Sequence, residues 1–437
     1  MDMRAYVETW GCQMNLHQSE EIEGILVRAG FEIVEDLHLA DVVLFNGCMV
    51  RQKAEEKLFG RIGAVVEERR NRPVLLGIGG CLGQIHGAAL LQRLRSVDFV
   101  FGSGGHTGLP ALIEHARTER TAELAPATFA DEICVRRSST VTAMVTITEG
   151  CSNFCAYCIV PYARGPMRSR PRSLILDEIE SLHATGVKEV LLLGQNVNAY
   201  GTDRREFGPF AALLKDVAQS GIPRVRFTTS HPKDMSDAIV RVMQQEAAVC
   251  PHLHLACQSG SDTILAAMRR GYDRAHFLRV VENARDRVPG LNLSTDIIVG
   301  FPGETDRDFA ETMDLVDCVR FGTIFAAKYS PRPHTNAANR ADDVPATVKA
   351  RRLAELLDRQ RTIAREENER FLGQDVEVLI EKAGRNAEWI GRTRDHRTVV
   401  CHGRADPGDI CSVRINGASA ASLSGGILVH ERLGGAT

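Results

Sequence analysis

Residues 149–161, EGCSNFCAYCIVP, decide the architecture of this chain, because Cys151, Cys155 and Cys158 are spaced as CxxxCxxC. Three thiolates from one short loop can hold three irons of a cubane [4Fe–4S] cluster and leave the fourth iron open for chemistry. A strand-like run over residues 143–148 comes just before the loop. The cysteines therefore follow the carboxyl end of a strand, where α/β sheets and barrels place their active sites.

Two plainer interpretations of the same loop stay open at this stage, a structural zinc site and three unrelated core cysteines. Structural zinc takes four ligands, usually as two close pairs. No Cys or His occurs in the ten residues after Cys158 to complete a tetrahedron. The spacing thus favours an iron–sulfur cluster over zinc.

Three further cysteines occupy equivalent places in the first 105 residues, where strands and helices alternate. Cys12, Cys48 and Cys81 each come directly after a predicted strand, in AYVETWGC, DVVLFNGC and PVLLGIGGC. Right-handed crossovers bring the carboxyl ends of parallel strands to one edge, so the three thiols are expected to converge. We predict a doubly wound parallel sheet with a second three-cysteine cluster; ordinary buried cysteines are the alternative. The first helix is expected over residues 19–29, with Ser19 as its cap.

The spacing of hydrophobic residues divides the rest of the chain into two further parts. Six strand–helix units between residues 143 and 331 predict an open, partial (β/α)6 barrel, too short for the eight-stranded form. Five short alternating strands in the last 65 residues predict a small β-barrel of oligonucleotide-binding size. We therefore expect domains over residues 1–135, 136–370 and 371–437.

An RNA-binding surface is predicted on the last of these domains. Trp389, Arg392, Arg394 and Arg397 combine an aromatic ring with positive charge, as surfaces that bind single-stranded RNA do. An ordinary solvated face is the alternative for each of them. The net charge of the chain is −3, so nucleic acid would be bound by local basic patches of this kind.

The composition, 44% hydrophobic and 25% charged over 437 residues, excludes a disordered or fibrous chain. No apolar run reaches membrane-spanning length, and the N-terminus enters a strand without a signal-peptide core. These features predict a cytoplasmic protein with no membrane partner. In that reducing compartment, twelve cysteines are expected to serve as ligands rather than to form disulfides.

Eight stretches between residues 9 and 305 together resemble the radical S-adenosylmethionine (SAM) methylthiotransferase family, and most closely its MiaB-type tRNA-modifying branch. They are TWGCQMNLHQSE, NGCMVRQKAEEKLFGRIG, IGGCLGQ, GCSNFCAYCIVPYARG, LLLGQNVNAYG, RFTTSHPKDM, LHLACQSGSDTILAAMRRGY and TDIIVGFPGET. The C-terminal barrel resembles the RNA-binding TRAM domain of that family. The chain departs from the pattern at Met167, where Glu is usual, and at Asp273, where Thr is expected.

The resemblance implies conversion of N6-isopentenyladenosine beside the tRNA anticodon into its 2-methylthio derivative. It implies two [4Fe–4S] clusters. One, on Cys151, Cys155 and Cys158, would cleave SAM to a radical that activates adenine C2. The other, on the N-terminal cysteines, would hold a sulfur that a second SAM methylates. The implied partners are a tRNA anticodon stem-loop and an electron donor such as flavodoxin or ferredoxin, and the expected state is a monomer.

The resemblance also suggests SAM contacts. The Tyr157 backbone, Ile298 and Gly300 would flank the adenine, and Gln195 would lie near the methionyl end; a core role is the alternative for Ile298. Two sister activities compete, on threonylcarbamoyladenosine in tRNA and on an aspartate of a ribosomal protein. A non-catalytic iron–sulfur or zinc RNA-binding protein is the alternative from a different class.

Overall fold

The computed structural model describes residues 3–49, 52–70, 72–124 and 135–431. Its first part is a six-stranded parallel sheet with the strand order β2-β1-β3-β4-β5-β6. The elements of this part, in chain order, are β1 (Arg4–Trp10), α1 (Gln13–Arg28), β2 (Glu32–Ile33), β3 (Val42–Gly47), α2 (Gln52–Glu68), β4 (Leu75–Gly79), α3 (Gly80–His86), α4 (Ala88–Arg93), β5 (Phe99–Phe101), α5 (Leu109–Ala116) and β6 (Thr121–Glu123).

Helices cover both faces of this sheet, which confirms the doubly wound prediction. Helices α1 and α5 bury Ile22 and Leu109 against one face, while α2, α3 and α4 pack on the other. All six residues of β3 are buried, as a central strand between two helical layers requires. The strand order reverses between β1 and β3, and α/β sheets bind ligands at the carboxyl ends of strands beside such a reversal.

The predicted start of the first helix is wrong. Helix α1 begins at Gln13, and Cys12 rather than Ser19 is its N-cap residue. Ser19 lies buried inside the helix, where its hydroxyl accepts a hydrogen bond from the Asn46 side chain at 3.0 Å and lies 2.6 Å from the hydroxyl of Thr9. Ser19 therefore makes a tertiary contact instead of the N-cap contact that the local sequence pattern predicts.

The second part is an open barrel of six parallel strands flanked by helices. Strands β11, β10 and β7 pair in that order, as do β12, β13 and β14, and isolated parallel bridges such as Ser230 to Leu255 connect the two halves. The elements are β7 (Thr142–Thr146), β8 (Thr148–Glu149), α6 (Val160–Arg164), β9 (Arg168–Ser169), α7 (Arg172–Ala184), β10 (Glu189–Leu193), α8 (Phe210–Ala218), β11 (Arg224–Phe227), α9 (Asp237–Gln245), β12 (His252–His254), α10 (Asp262–Ala267), α11 (Arg274–Arg287), β13 (Asn292–Val299), α12 (Asp306–Val319), β14 (Thr323–Lys328) and α13 (Ala346–Glu369).

The six predicted barrel strands are confirmed, with ends within two residues of those expected. The main core lies between these strands and the surrounding helices, and Val190, Val225 and Ile297 are completely buried in it. Because side chains alternate along a strand, Ile298 points away from that core and packs in a smaller cluster with Ala156. The short antiparallel pair β8 and β9 lies beside the cysteine loop.

The third part is a closed five-stranded barrel, as predicted, with the order β15-β16-β17-β19-β18. Its interior is filled by residues such as Val378, Val399 and Val413. The strands are β15 (Asp375–Ala383), β16 (Trp389–Thr393), β17 (Thr398–His402), β18 (Ile410–Ala418) and β19 (Leu423–Glu431).

The closed barrel docks at the amino-terminal ends of the partial-barrel strands. Arg224 and Arg226, both buried at the start of β11, donate hydrogen bonds of 2.8–2.9 Å to the main-chain carbonyls of Arg392, Thr393 and Arg394. The cysteine loop follows β7 at the opposite, carboxyl end of the same strands. The barrel and the cysteine loop thus lie at opposite ends. Among the described residues, no helix has the length and apolar character to cross a membrane.

Candidate active site

The N-terminal cysteines lie together at the carboxyl edge of the first sheet, beside its reversal point. Cys12 caps α1 after β1, Cys48 follows β3, and Cys81 lies in the first turn of α3 after β4. The Cys48 N–H donates to the Trp10 carbonyl at 2.8 Å, which ties the first two turns together.

A glycine lets the third turn approach the other two. Gly80 bridges to Gly47 and has a φ of +74°. A Cβ at Gly80 would lie 2.2 Å from Oδ1 of Asn46, so no other residue fits without displacing the turn. The sequence expectation that these cysteines converge therefore has a clear backbone basis.

The electrostatic surroundings favour a thiolate at Cys12. A hydrogen bond with the Cys48 side chain, the Arg164 guanidinium and the N–H groups of Asn15 and Met14 lower its pKa to about 5. The two N–H groups belong to the first turn of α1, whose dipole also stabilises a negative charge. Since the thiolate is the form that binds metal, this corner suits an iron–sulfur cluster.

The pKa values of two thiols of the second trio shift in the opposite direction from that of Cys12, because loss of solvent and neighbouring thiols disfavour their charged form. Burial, together with the neighbouring Cys155 and Cys151, raises the pKa of Cys158 to about 12. Burial also raises the pKa of Cys151, and Cys155 adds to that effect. Three thiolates here need a nearby positive charge, which iron would supply as it displaces the protons.

A buried arginine already lies against this trio. Nη1 of Arg270 is 3.3 Å from Sγ of Cys155 and 3.4 Å from the hydroxyl of Tyr157. Its Nη2 donates to the Ala256 carbonyl at 2.6 Å, so the guanidinium is fixed in place. Arg270 can partly balance the negative charge of a cluster on this loop.

A second buried arginine links the segment after the cysteine loop to the first trio. Arg164 ends α6, just after the cysteine loop, yet its side chain hydrogen-bonds Cys81 of the first sheet. It also pairs with Glu149 at 3.6 Å and donates to Gln18 at 3.5 Å. Burial alone would lower the pKa of Arg164, but Cys81, Glu149 and Cys12 raise it, so it stays charged.

The packing around Arg164 joins the two parts of the chain. Ile159 comes directly before α6, and Ala163 lies within it. Both are buried in the same core as Cys81 and Leu82 of the first part of the chain. The Ser103 hydroxyl of that part donates to the Ala163 carbonyl at 2.7 Å. The loops that carry the two trios are thus held in one contact region.

Among the described residues, no three Cys, His, Asp or Glu side chains come close enough to share a single metal ion. A cubane carries its irons at separate corners, so thiolates that bind it need not meet at one point.

Polar side chains with unused hydrogen-bonding capacity surround the carboxyl ends of the partial-barrel strands. Buried polar groups are normally paired, so a group of such atoms indicates a missing polar ligand. Within the described part of the chain, the buried atoms without a partner here are Thr148 Oγ1, Gln195 Oε1, Ser230 Oγ, His231 Nε2 and Gln258 Oε1. Burial, together with Arg270 and Lys233, lowers the pKa of His231 to about 2, so its imidazole is neutral.

The four candidate SAM contacts lie around this region. Tyr157 and Ile298 pack in one small apolar cluster, and the Ile298 N–H donates to the Gln258 carbonyl at 3.0 Å. Gly300 ends the same strand with a φ of +71°, and its N–H donates to Glu304 at 2.7 Å. Gln195 follows β10 in the other half of the barrel, and its Oε1 is one of the unpaired atoms. The residues present therefore fit a polar ligand with an apolar ring.

Two departures from the family pattern have clear positions. Asp273 is the N-cap residue of α11 and accepts a hydrogen bond from the His276 N–H at 2.7 Å. Thr and Asp both serve as N-caps, which explains the exchange. The Met167 N–H donates to Ser152 at 3.1 Å. Nothing in the structure explains the choice of Met at this position.

The structure places the arginines of the predicted basic surface in contacts within the chain. Arg397 pairs with Asp395 at 2.7 Å and lies 4.8 Å above the ring of Phe371. Arg392 pairs with Glu381 at 3.1 Å, and Arg394 donates to a carbonyl of the partial barrel, that of Ala247. The Trp389 indole donates to the Gly403 carbonyl at 3.1 Å. Each of these arginines has a partner within the chain, and Arg394 contacts the partial barrel; RNA binding by this surface stays a prediction.

Comparison with known families first defines the class. The Radical SAM superfamily model matches residues 145–316, the TRAM domain matches residues 369–428, and the Uncharacterized protein family UPF0004 matches residues 4–102. The chain is therefore a radical SAM protein, which implies one [4Fe–4S] cluster and SAM. It carries a C-terminal TRAM barrel.

The relatives then define the particular family. The chain is 44% identical to the tRNA-2-methylthio-N(6)-dimethylallyladenosine synthase of Carboxydothermus hydrogenoformans, covering 96% of this chain and 98% of the relative. It is 42% identical to the protein of the same name from Thermobifida fusca, covering 95% of this chain and 87% of the relative. The chain belongs to the tRNA-2-methylthio-N(6)-dimethylallyladenosine synthase family.

Solved structures support the fold alone. The radical SAM methyltransferase TsrM from Kitasatospora setae aligns with a TM-score of 0.58 at 15% identity, covering 77% of this chain and 74% of that one. The cobalamin-dependent radical SAM enzyme OxsB aligns with a TM-score of 0.51 at 10% identity, covering 83% of this chain and 56% of that one.

Proposed function

We propose that this chain inserts a methylthio group at C2 of N6-dimethylallyladenosine, also called N6-isopentenyladenosine, beside the tRNA anticodon. The observation that carries the proposal is the packing of α6, which directly follows the second cysteine trio, against the Cys81 region of the first sheet, where Arg164 hydrogen-bonds Cys81. The relatives that bear this activity in their names are 42–44% identical over nearly the whole chain. The two sister activities have no comparable support.

Each trio is assigned its own [4Fe–4S] cluster in this proposal. Cys151, Cys155 and Cys158 would hold the cluster that binds SAM, and Cys12, Cys48 and Cys81 would hold a second one. When bound, such groups supply an electron for reductive SAM cleavage and an iron site for sulfur, chemistry that no side chain provides. The pKa values of Cys151 and Cys158 are raised, so these two thiols must lose their protons as iron binds.

The surrounding residues orient the reactants and balance charge. Arg270 and Arg164 each place a fixed positive charge beside one trio. We assign Tyr157, Ile298 and Gly300 to the adenine of SAM and Gln195 to its methionyl end. In support, the Gln195 Oε1 is buried without a protein partner among the described residues, and Gly300 leaves no room for a side chain beside Lys349.

The remaining assignments follow from this activity. The RNA partner is a tRNA anticodon stem-loop, and a flavodoxin or ferredoxin is the proposed electron donor. We propose a monomer located in the cytoplasm, where its tRNA substrate occurs. Domain boundaries near residues 135 and 370 fit the ends of the first sheet and of α13, which is Ala346–Glu369.

Iron and sulfide analysis after anaerobic reconstitution tests the cofactor assignment. Two cubanes correspond to about eight irons and eight sulfides per chain. Zinc without sulfide would instead support a non-catalytic RNA-binding protein. Incubation with SAM, a reductant and tRNA that carries either dimethylallyladenosine or threonylcarbamoyladenosine, followed by nucleoside mass spectrometry, tests the substrate. Methylthiolation of only the threonylcarbamoyl nucleoside would contradict the proposal.

A further inference from the structure

Three aromatic side chains form an exposed group beside the second cysteine trio. The rings of Phe154 and Tyr162 meet edge to face at 6.2 Å, and those of Tyr162 and His334 lie 5.9 Å apart at a tilt of 35°. Phe154 is 47% exposed and Tyr162 is 39% exposed, and His334 is also exposed. Large rings are usually buried, so a contiguous exposed group indicates a binding surface.

The backbone beneath two of these rings is strained. Phe154 has a φ of +46° and His334 a φ of +65°, in the left-handed region that side chains other than Gly, Asn and Asp rarely adopt. Strain of this kind persists where the surroundings impose it, and it concentrates at functional sites. Here the strained backbone holds the rings of Phe154 and His334 in solvent, where the fold gains no buried apolar surface from them.

Well-ordered contacts fix the two strained segments to each other. The Ala337 N–H donates to the Ala156 carbonyl at 2.7 Å, which joins the turn after His334 to the cysteine loop. The buried Thr335 hydroxyl donates to the Arg332 carbonyl at 2.7 Å and closes the same turn. The aromatic group is therefore preorganised rather than a set of loose side chains.

The position of the group relates it to the reacting centre. Phe154 lies between Cys151 and Cys155, and Tyr162 lies two residues before Arg164. The closed C-terminal barrel docks at the opposite ends of the strands, through Arg224 and Arg226. Contacts to RNA next to the reacting adenosine must therefore come from residues near the cysteine loop.

We propose that Phe154, Tyr162 and His334 stack on an unpaired base of the anticodon loop next to the adenosine that is modified. This inference rests on the proposed function. Proteins recognise single-stranded RNA by stacking splayed bases on Phe, Tyr and His rings. The two carbocyclic rings are uncharged, as a base-stacking surface requires, whereas a docking site for a protein electron donor would be expected to use complementary charges.

The test uses the anaerobically reconstituted full chain and a stem-loop RNA that carries dimethylallyladenosine with 2-aminopurine at a neighbouring loop position. Phe154→Asn and His334→Asn each remove one ring, and Asn tolerates the left-handed backbone at both positions. Tyr162→Leu removes the remaining ring. Each is expected to weaken RNA binding about 5- to 100-fold and to increase 2-aminopurine emission in the complex, because a stacking partner is lost.

Matched variants and controls make the result specific. Tyr162→Phe keeps the ring and is expected to bind as the wild type does. Leu39→Ala removes a 49% exposed side chain at the amino-terminal end of β3 and is expected to change nothing. Bound iron is measured for every variant. Tyr162 and His334 lie outside the cysteine loop. If Phe154→Asn loses iron, the RNA affinity of Tyr162→Leu and His334→Asn therefore decides whether the rings bind RNA.

Unchanged RNA affinity and emission in the iron-replete ring-removing variants would overturn the proposal. Slower reduction by a flavodoxin with unchanged RNA affinity would also overturn it, since the surface would then serve a protein partner. Failure of the proposed function is a separate result. In that case the wild-type chain would form no methylthiolated nucleoside, whatever the ring variants do to RNA affinity.

Discussion

At the scale of single residues, Arg164 has the widest influence on the site. It is 5% exposed, hydrogen-bonds Cys81 and pairs with Glu149, although it belongs to the segment that follows the other trio. A fixed positive charge beside a cluster favours the reduced state, which carries one more negative charge. Arg164 is therefore expected to raise the potential of a cluster on Cys12, Cys48 and Cys81.

Replacing Arg164 by Gln in a chain that lacks the other trio should lower that potential. The expected change is on the order of 100 mV for a unit charge at contact distance in a partly shielded site. Arg164→Lys keeps the charge and should shift the potential much less. A redox titration followed by electron paramagnetic resonance measures both, and equal potentials in the wild type and the Gln variant would contradict this role.

Gly80 offers a second test at the same scale. Its φ of +74° and the short distance from a new Cβ to Asn46 mean that Gly80→Ala should displace the Cys81 turn. Loss of about half of the bound iron is expected, because only one of two cubanes depends on this turn. Gly30→Ala is the matched control, since Gly30 also has a positive φ, +89°, but nothing within 4 Å. Full iron content in Gly80→Ala would show that the turn is not needed.

The cysteines could be predicted from the sequence, while the arginines around them could not. Cys12, Cys48, Cys81 and Cys151 each come within two residues of the end of a strand, and topology brings such positions in one sheet to one edge. Whether an arginine side chain is buried depends on the hydrogen-bonding and charged partners that surround it in the folded chain. Arg164 and Arg270 stand in the ordinary-looking segments YARG and MRRGY, and only the packed structure reveals their buried contacts. Their one sequence signal is nearness to a glycine turn beside the site.

At the scale of elements, strand positions were predictable and docking was not. Period and turn residues placed the six barrel strands to within two residues, because burial on both faces leaves a strong apolar signal. The arginines of β16 and of the turn after it suggested an RNA surface. The main-chain carbonyls of this segment instead accept hydrogen bonds from Arg224 and Arg226 of β11, which are completely or almost completely buried. Charged residues at an interface and at a free surface look alike in a sequence.

A pair of histidine rings in contact at this interface makes barrel docking sensitive to acid. The rings of His252 and His396 lie 4.7 Å apart. Burial and then Arg226 and Arg392 lower the pKa of His396 to about 3, and burial and then His396 lower that of His252 well below its ordinary value. The groups facing the pair are His254, Arg226, Arg392 and the Ser294 hydroxyl, which lies 3.1 Å from Nε2 of His252.

The free energy of unfolding should therefore fall on acidification. Because the unfolded chain binds a proton on His396 near pH 6.5 and the folded chain does not, stability is complete above that pH and decreases below it. One such histidine accounts for about 1.4 kcal/mol between pH 7.5 and 5.5. His396→Asn tolerates the φ of +71° and cannot ionise there. Calorimetry at the two pH values should show a smaller decrease for this variant, and an identical decrease would contradict the assignment.

At the scale of the whole molecule, the account assigns two separate roles to the two cysteine trios. They belong to different parts of the fold, which pack together through α6 and other contacts such as Thr146 with His17. Each trio should therefore bind its iron without the other. Activity, in contrast, needs both in one chain.

Replacing Cys151, Cys155 and Cys158 by Ala should abolish formation of 5′-deoxyadenosine and leave about four irons per chain. Replacing Cys12, Cys48 and Cys81 should spare 5′-deoxyadenosine formation and prevent methylthio transfer. Chromatography of 5′-deoxyadenosine and of tRNA nucleosides measures both. The division of roles fails if the first variant still cleaves SAM reductively or the second still makes the methylthiolated product at the wild-type rate.

The most direct test of the central claim is mass spectrometry of nucleosides from tRNA that carries dimethylallyladenosine, after anaerobic reaction with the reconstituted chain, SAM and a reductant. The account predicts a new nucleoside heavier by one methylthio group in place of one hydrogen, about 46 mass units, with its position fixed at adenine C2. Accumulation of 5′-deoxyadenosine beside unchanged dimethylallyladenosine, in a chain loaded with both clusters, would contradict it.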